Sequence, residues 1–198
     1  MLNSSRPDST ARKGNKRDRT RQRLIEAASL VIGEKGLERT ALEDIAAKAG
    51  LTRGAIYGNF KDKEELFMAV AESRWKPIIP PPPVNPGTTL KMRMRTLGEA
   101  VVAALPERRA QAVGAMSFLA YALTHENLRS LVARKNSEIY ESAAKGLQQM
   151  IPANELPMPA GSFVRVIHAL TEGLLALRFL TPELITDEVI IAAFEALA

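Results

Sequence analysis

Residues 76–87 read KPIIPPPPVNPG, and the six prolines in that run exclude a helix and make a stiff, extended connector. Such a run also suits SH3-like modules, but between periodic apolar segments it reads first as a link between helices. On either side of it, apolar residues recur at helical spacing. Nowhere do apolar and polar residues alternate for long enough to build a strand, and no fixed period repeats. An all-α fold of about nine helices is expected. Leu24, Ile25, Ala28, Val31 and Ile32 make the first apolar face, and Gly36 follows Lys35 as a closing signal, so the first helix is expected over 18–35. Beyond the connector, helices are expected at 88–104, 107–124, 127–150, 160–180 and 183–197, punctuated by Pro106, Pro152, Pro157, Pro159 and Pro182.

Between these lies a cluster of short helices. Thr40 and Glu43 have the spacing of a reciprocal capping box, and Leu42, Ile45, Ala46 and Ala49 form the apolar face behind it. Gly50 ends that helix. Thr52 is placed to cap a third helix, about seven residues long, carrying Ile56 and Phe60. Asp62 and Glu65 repeat the box and open a longer fourth helix with Leu66, Phe67, Val70 and Ala71 inward.

Charge separates the head from the rest. Residues 1–61 hold 13 Lys/Arg against 7 Asp/Glu, a balance of +6 within a chain of net +5, so residues 62–198 stand at −1. A basic module on a near-neutral body attracts phosphate backbones or anionic lipid, or is merely solvated. The chain has no cysteine and two distant histidines, which removes disulfides, thiolate sites and a structural zinc. No apolar run reaches bilayer length, and the N-terminal residues lack the apolar segment of a signal peptide, so a cytoplasmic location is expected. No paired carboxylates, Ser/His/Asp set, phosphate-cradling glycine loop or metal spacing supports an enzyme, and no cofactor is implied. The expected organisation is a disordered basic arm over 1–16, a helix-turn-helix DNA-binding domain over 17–61 and a ligand-binding and dimerisation body over 62–198.

Two short helices joined by a glycine turn form a helix-turn-helix when the second is free to enter a groove. Subtracting the inward positions leaves Thr52, Arg53, Gly54, Ala55, Tyr57, Gly58 and Asn59 facing out. Arg53 can fork onto a guanine edge, and the Ala55 methyl can pack on a thymine methyl. Gly54 and Gly58 let backbone come close. Tyr57, Asn59, Lys61 and Lys63 can hold phosphate oxygens. Arg17, Arg19 and Arg21 can follow the backbone, enter a minor groove or act only as diffuse positive charge. The plain alternative for the whole stretch is a packed helical hairpin with a polar outer face.

The segment TALEDIAAKAGLTRGAIYGNFKDKEELF resembles the DNA-binding segment of the TetR/AcrR family of bacterial transcriptional regulators, with LTRGAIY and NFKDKEELF closest to its multidrug-efflux-repressor branch. The specific likeness covers residues 18–70. The resemblance implies a homodimer whose two heads read a palindromic operator, and a small-molecule pocket in the body. By position it implies that Thr40 and Thr52 cap helices and touch phosphate, that Arg53, Gly54 and Ala55 face bases, and that Tyr57, Asn59 and Lys63 grip the backbone. Gly58 and Asn59 stand where relatives often carry a larger residue followed by histidine.

In the body, large or adaptable side chains (Trp75, Met92, Met116, Phe118, Tyr121, Met150, Phe163, His168) are candidates for a pocket lining, or simply for core. The family places the dimer face on the last two helices, with Val166, Leu170, Gly173, Leu174, Leu177, Ile190 and Phe194 as its candidates; Ala169 and Gly173 would let another helix approach. These too can serve as core within one chain. The expected function is a repressor released from its operator by a small apolar or amphipathic ligand. A DNA-binding dimer without effector and a transcriptional activator are the alternatives.

Overall fold

The computed structural model describes residues 9–74, 78 and 87–198, with side chains from residue 16 onward. Among these residues every regular element is helical: α1 (Ser9–Lys35), α2 (Leu42–Ala49), α3 (Arg53–Tyr57), α4 (Lys63–Arg74), α5 (Leu90–Thr124), α6 (Glu126–Met150), α7 (Ala160–Leu180) and α8 (Asp187–Glu195), with a 3-10 turn at Ala153–Glu155. The chain divides into two compact units, Met1–Trp75 with Gly114–Leu131, and Lys76–Val113 with Val132–Ala198. No described helix is long and apolar enough to cross a membrane.

Several boundaries differ from the sequence expectation. α1 begins at Ser9, inside the stretch expected to be a disordered arm, because the Arg- and Lys-rich lead-in is compatible with helix once the amphipathic part is fixed. The helices expected at 88–104 and 107–124 are one helix, α5, running through Pro106. Proline removes one backbone donor and crowds the carbonyl four residues back. Pro106 is exposed, so water can reach the carbonyl it leaves unpaired, and buried anchors flank it at Val101 and Phe118. The last helix starts at Asp187 rather than 183. There Thr186 caps it, its hydroxyl accepting from the Val189 N–H at 3.4 Å.

In the first unit α1 packs on α2 and α4, and α2 on α3. Leu24, Ala28, Ile45, Ile56 and Leu66 are fully buried where these helices meet. Lys35 pairs with Asp44 and Lys48 with Glu34, both at 2.8 Å, stitching α1 to α2 at the surface. The hydrogen bond from Lys35 is the main cause of an Asp44 pKa below the ordinary carboxylate value. Half of the capping box at Asp62 and Glu65 forms: the Glu65 N–H donates to Asp62 Oδ1 at 2.8 Å, while Glu65 Oε2 reaches one residue further back and accepts from the Lys61 N–H at 2.7 Å.

The second unit is built around Met94, Leu97, Val101, Phe163, Ile190 and Phe194. The turn between α7 and α8 is held by Arg178. Its Nη1 donates to the carbonyls of Pro182 (3.1 Å) and Ile185, while its Nη2 donates to Asp187 Oδ1 at 2.7 Å. The Arg178 side chain is 22% exposed, but Asp187 is 48% exposed and Pro182 lies at the surface, so truncation strands chiefly the half-buried Ile185 carbonyl. Arg178→Met should cost about 2 kcal/mol. Urea denaturation checks this: a midpoint equal to the parent's would show that the clamp contributes nothing.

Candidate nucleic-acid interface

The turn before α3 depends on one glycine. Gly50 has φ +61°, a left-handed conformation that a side chain disfavours, and its N–H donates to the Ala47 carbonyl at 3.0 Å while Leu51 N–H reaches Ala46 at 2.9 Å. The chain leaves this cap at Thr52, whose φ of −88° and ψ of 157° are those of an N-cap. The Thr52 carbonyl accepts from the Ala55 N–H at 2.9 Å, but its side chain makes no capping bond and stays at the exposed surface. α3 is five residues long, shorter than expected, and Ile56 alone of its side chains is buried.

Its outer side carries exposed Thr52, Arg53, Gly54, Tyr57 and Gly58, with Ala55 and Asn59 half-buried. Arg53 is held by two groups. Nη1 donates to Glu43 Oε1 at 2.5 Å, and Nη2 donates to the Tyr57 hydroxyl at 3.1 Å, with the guanidinium carbon 5.6 Å from the Tyr57 ring centre. The Tyr57 bond first, and the Glu43 charge second, raise the Arg53 pKa above its already high value.

Two of the sequence-expected contacts, Thr40 and Arg21, are turned to other partners. Thr40 is 1% exposed and its hydroxyl donates to the Gly36 carbonyl at 2.7 Å; Ala41, not Thr40, occupies the N-cap of α2, so the Thr40 side chain neither caps that helix nor reaches a surface. Asn59 gives one of its two amide N–H donors to the Ala55 carbonyl at 2.7 Å and leaves Oδ1 buried and unpartnered, so one N–H remains for a phosphate. Arg21 lies 4.2 Å over the Phe60 ring and donates to the Asn59 carbonyl at 3.0 Å, bracing α1 against the end of α3 rather than pointing outward. The Lys63 ammonium sits 5.1 Å from the Phe67 ring centre and 5.9 Å from that of Tyr121. Arg19 and the Lys61 side chain are exposed, as a phosphate contact requires. Arg23, which the sequence offers only as the end of a basic arm over residues 12–23, donates to the Ala49 carbonyl at 2.7 Å and ties α1 to the end of α2. An arginine one helical turn from a buried apolar pair was the available signal.

Residues 24–70 match the family model for the bacterial regulatory proteins of the tetR family. The regulator SrpR of Pseudomonas putida is 46% identical over 61 residues, which cover 31% of this chain and 29% of that protein. The probable acrEF/envCD operon repressor of Escherichia coli K12 is 49% identical over 49 residues, covering 25% of this chain and 22% of that protein. These likenesses therefore span less than a third of the relatives' own length. The multidrug binding protein EbrR, solved with imidazole, shares the fold over 89% of this chain and 88% of its own, with a TM-score of 0.66 at 22% identity. Residues 24–70 thus carry the DNA-binding segment of a TetR/AcrR-family regulator. The chain's relatives are named as transcriptional regulators and repressors rather than enzymes.

In the rest of the chain the candidate pocket residues are scattered. Met92, Met116 and Met150 are surface residues. Phe163 is fully buried in the core of the second unit, so it fills space rather than lining a void. His168 is exposed, with Nδ1 2.6 Å from the Tyr140 hydroxyl and Arg165 over the Tyr140 ring. Burial is the main cause of a raised Tyr140 pKa. Phe118 and Tyr121 are buried in the first unit, where Tyr121 meets Phe67 edge-on at 5.6 Å and stacks on His125 at 3.6 Å. Burial also raises the Tyr121 pKa, with Glu64 and Glu38 adding to it. Trp75 lies outside the described residues.

The candidate dimer residues divide in two. Leu174, Ile190 and Phe194 belong to the chain's own core, and Ile190 and Phe194 are 0% exposed, so they are not available to a second copy. Gly173 and Leu177 are exposed, Val166 and Leu170 half-exposed, and Ala169 lies beside them on the open side of α7. Among the described residues, nothing outside its own turn of helix lies within 4 Å of where a Gly173 β-carbon would stand.

Proposed function

We propose that this chain is a transcriptional repressor that binds a palindromic operator as a homodimer and leaves it when a small apolar or amphipathic molecule binds the body. The observation that carries the reading is the division of α3: Ile56 fully buried on one side, Arg53, Gly54 and Tyr57 open on the other. Two further features support it. A β-carbon at Gly54 or Gly58 would meet only ordinary contacts at 3.5 Å or beyond, and neither residue has a left-handed backbone, so nothing within the chain demands glycine there. Close approach of a groove wall does. The open side of α7, small at Ala169 and Gly173 and apolar at Val166 and Leu177, suits a second copy, and a palindromic operator presents its two half-sites about 34 Å apart, one turn of duplex.

Release requires a ligand that prefers the form unable to span the two half-sites; equal affinity for both forms shifts nothing. EbrR is named a multidrug binding protein, which supports a small organic ligand here. The burial of Phe163 and the surface positions of Met92 and Met150 favour a second reading, a DNA-binding dimer without effector. Challenging the protein–duplex complex with small aromatic compounds, imidazole first, separates the two: release by any of them supports the repressor with effector.

DNA binding itself is tested by titrating a duplex selected from a randomised library at rising salt. With roughly six phosphate contacts per dimer, log affinity should fall against log salt with a slope of about −5. Lys61→Ala should weaken all sequences alike and shallow the slope by about 1 per contact removed. A flat slope in the parent would remove the reading.

A further inference from the structure

We infer that Glu43, on α2, is a positioning residue for base recognition, fixing the guanidinium plane of Arg53 across the helix-turn-helix. The inference rests on the DNA-binding reading above and assigns to that surface a residue which does not itself need to touch a base. An arginine at the start of a five-residue helix has many rotamers open to it, and a bidentate fork onto guanine requires one orientation. Here two groups from different elements seize the same guanidinium. Glu43 Oε1 takes Nη1 at 2.5 Å from α2, and the Tyr57 hydroxyl takes Nη2 at 3.1 Å from one turn further along α3. Three of the five guanidinium N–H donors remain for a base edge or phosphate.

Stability does not explain the pair. Both side chains are more than half exposed, 57% and 60%, and ion pairs of that kind contribute little to folding. A carboxylate beside phosphates moreover repels DNA of every sequence. Its presence on this side of α2 is favourable only if it sharpens discrimination by more than it weakens binding. Pre-orientation does so, because the arginine then loses less freedom on meeting the correct base.

The test uses the full chain and two duplexes: one recovered by the parent protein from a randomised library, and one of scrambled sequence. The quantity read is the ratio of their affinities, which loss of a like charge alone does not move. Glu43→Ala should raise affinity for the scrambled duplex while lowering the ratio roughly fivefold to tenfold, part of the discrimination a bidentate arginine provides. Glu43→Gln keeps an acceptor for Nη1 without the charge, so it should raise both affinities and restore most of the ratio. In an Arg53→Ala background Glu43→Ala should leave the ratio unchanged, since there is no guanidinium left to orient. An unchanged or increased ratio in Glu43→Ala, or an equal fall with and without Arg53, overturns the assignment while leaving DNA binding intact. Failure of the parent to select any sequence overturns the reading beneath it, and the assignment with it.

Discussion

Gly98→Leu should cost the second unit about 3 kcal/mol or more, read as a urea midpoint well below the parent's. α5 passes α8 at this glycine so closely that a β-carbon would lie 3.0 Å from the Ile191 Cα and 3.4 Å from two side-chain atoms of Phe194. The nearest atom is backbone and cannot swing aside as a flexible side-chain tip can. Phe194 is fully buried, so it has no neighbouring space to retreat into. Gly98→Ala is the informative control. Alanine gains about 1 kcal/mol over glycine inside a helix, and the forced displacement opposes that gain, so the midpoint should move little. A leucine variant as stable as the parent would mean that the two helices do not meet this closely.

The second large effect is expected at Ile56. α3 is far too short to persist in water by itself, and one buried side chain attaches it to α1 and α2. Ile56→Ala should cost 2–4 kcal/mol, the usual range for emptying a fully buried aliphatic site. Amide exchange across residues 50–60 should accelerate at least about thirtyfold, and affinity for the selected duplex should fall with it. Unaltered exchange and affinity together would show that α3 is anchored by something other than Ile56.

Local signals were legible in the sequence. Gly36 and Gly50 end their helices with φ of +76° and +61°, and Asp62 caps the Glu65 N–H as its spacing requires. Such features are decided by residues within one turn of each other, which the sequence displays directly. Thr40 shows where that stops: its hydroxyl could accept from a helix N–H or donate to a carbonyl, and in the fold it donates to Gly36. Ile190 and Phe194 show a second limit. Periodicity reveals that a residue seeks apolar surroundings, but a chain's own core and the surface of a copy offer the same chemistry. Pro106 was read as a break because the proline penalty is local, whereas the packing on either side of it is not. Gly98 sat unremarked in a helical stretch, since only the path of α8 gives it meaning. In the candidate site the outward residue types of α3 were readable, while the Glu43–Arg53 pair depends on how two helices cross.

The arginines of the head have a consequence for how the protein behaves in solution. Arg21 and Arg23 are bound to backbone carbonyls, and Arg53 is matched by a carboxylate. Guanidiniums so engaged are restrained in where they can meet small anions. Retention on a cation-exchange column should therefore follow the local arrangement of these cations as well as their number, and swapping Arg21 or Arg23 for glutamine should both loosen helix contacts and lower retention, because a neutral carbonyl cancels none of the charge removed.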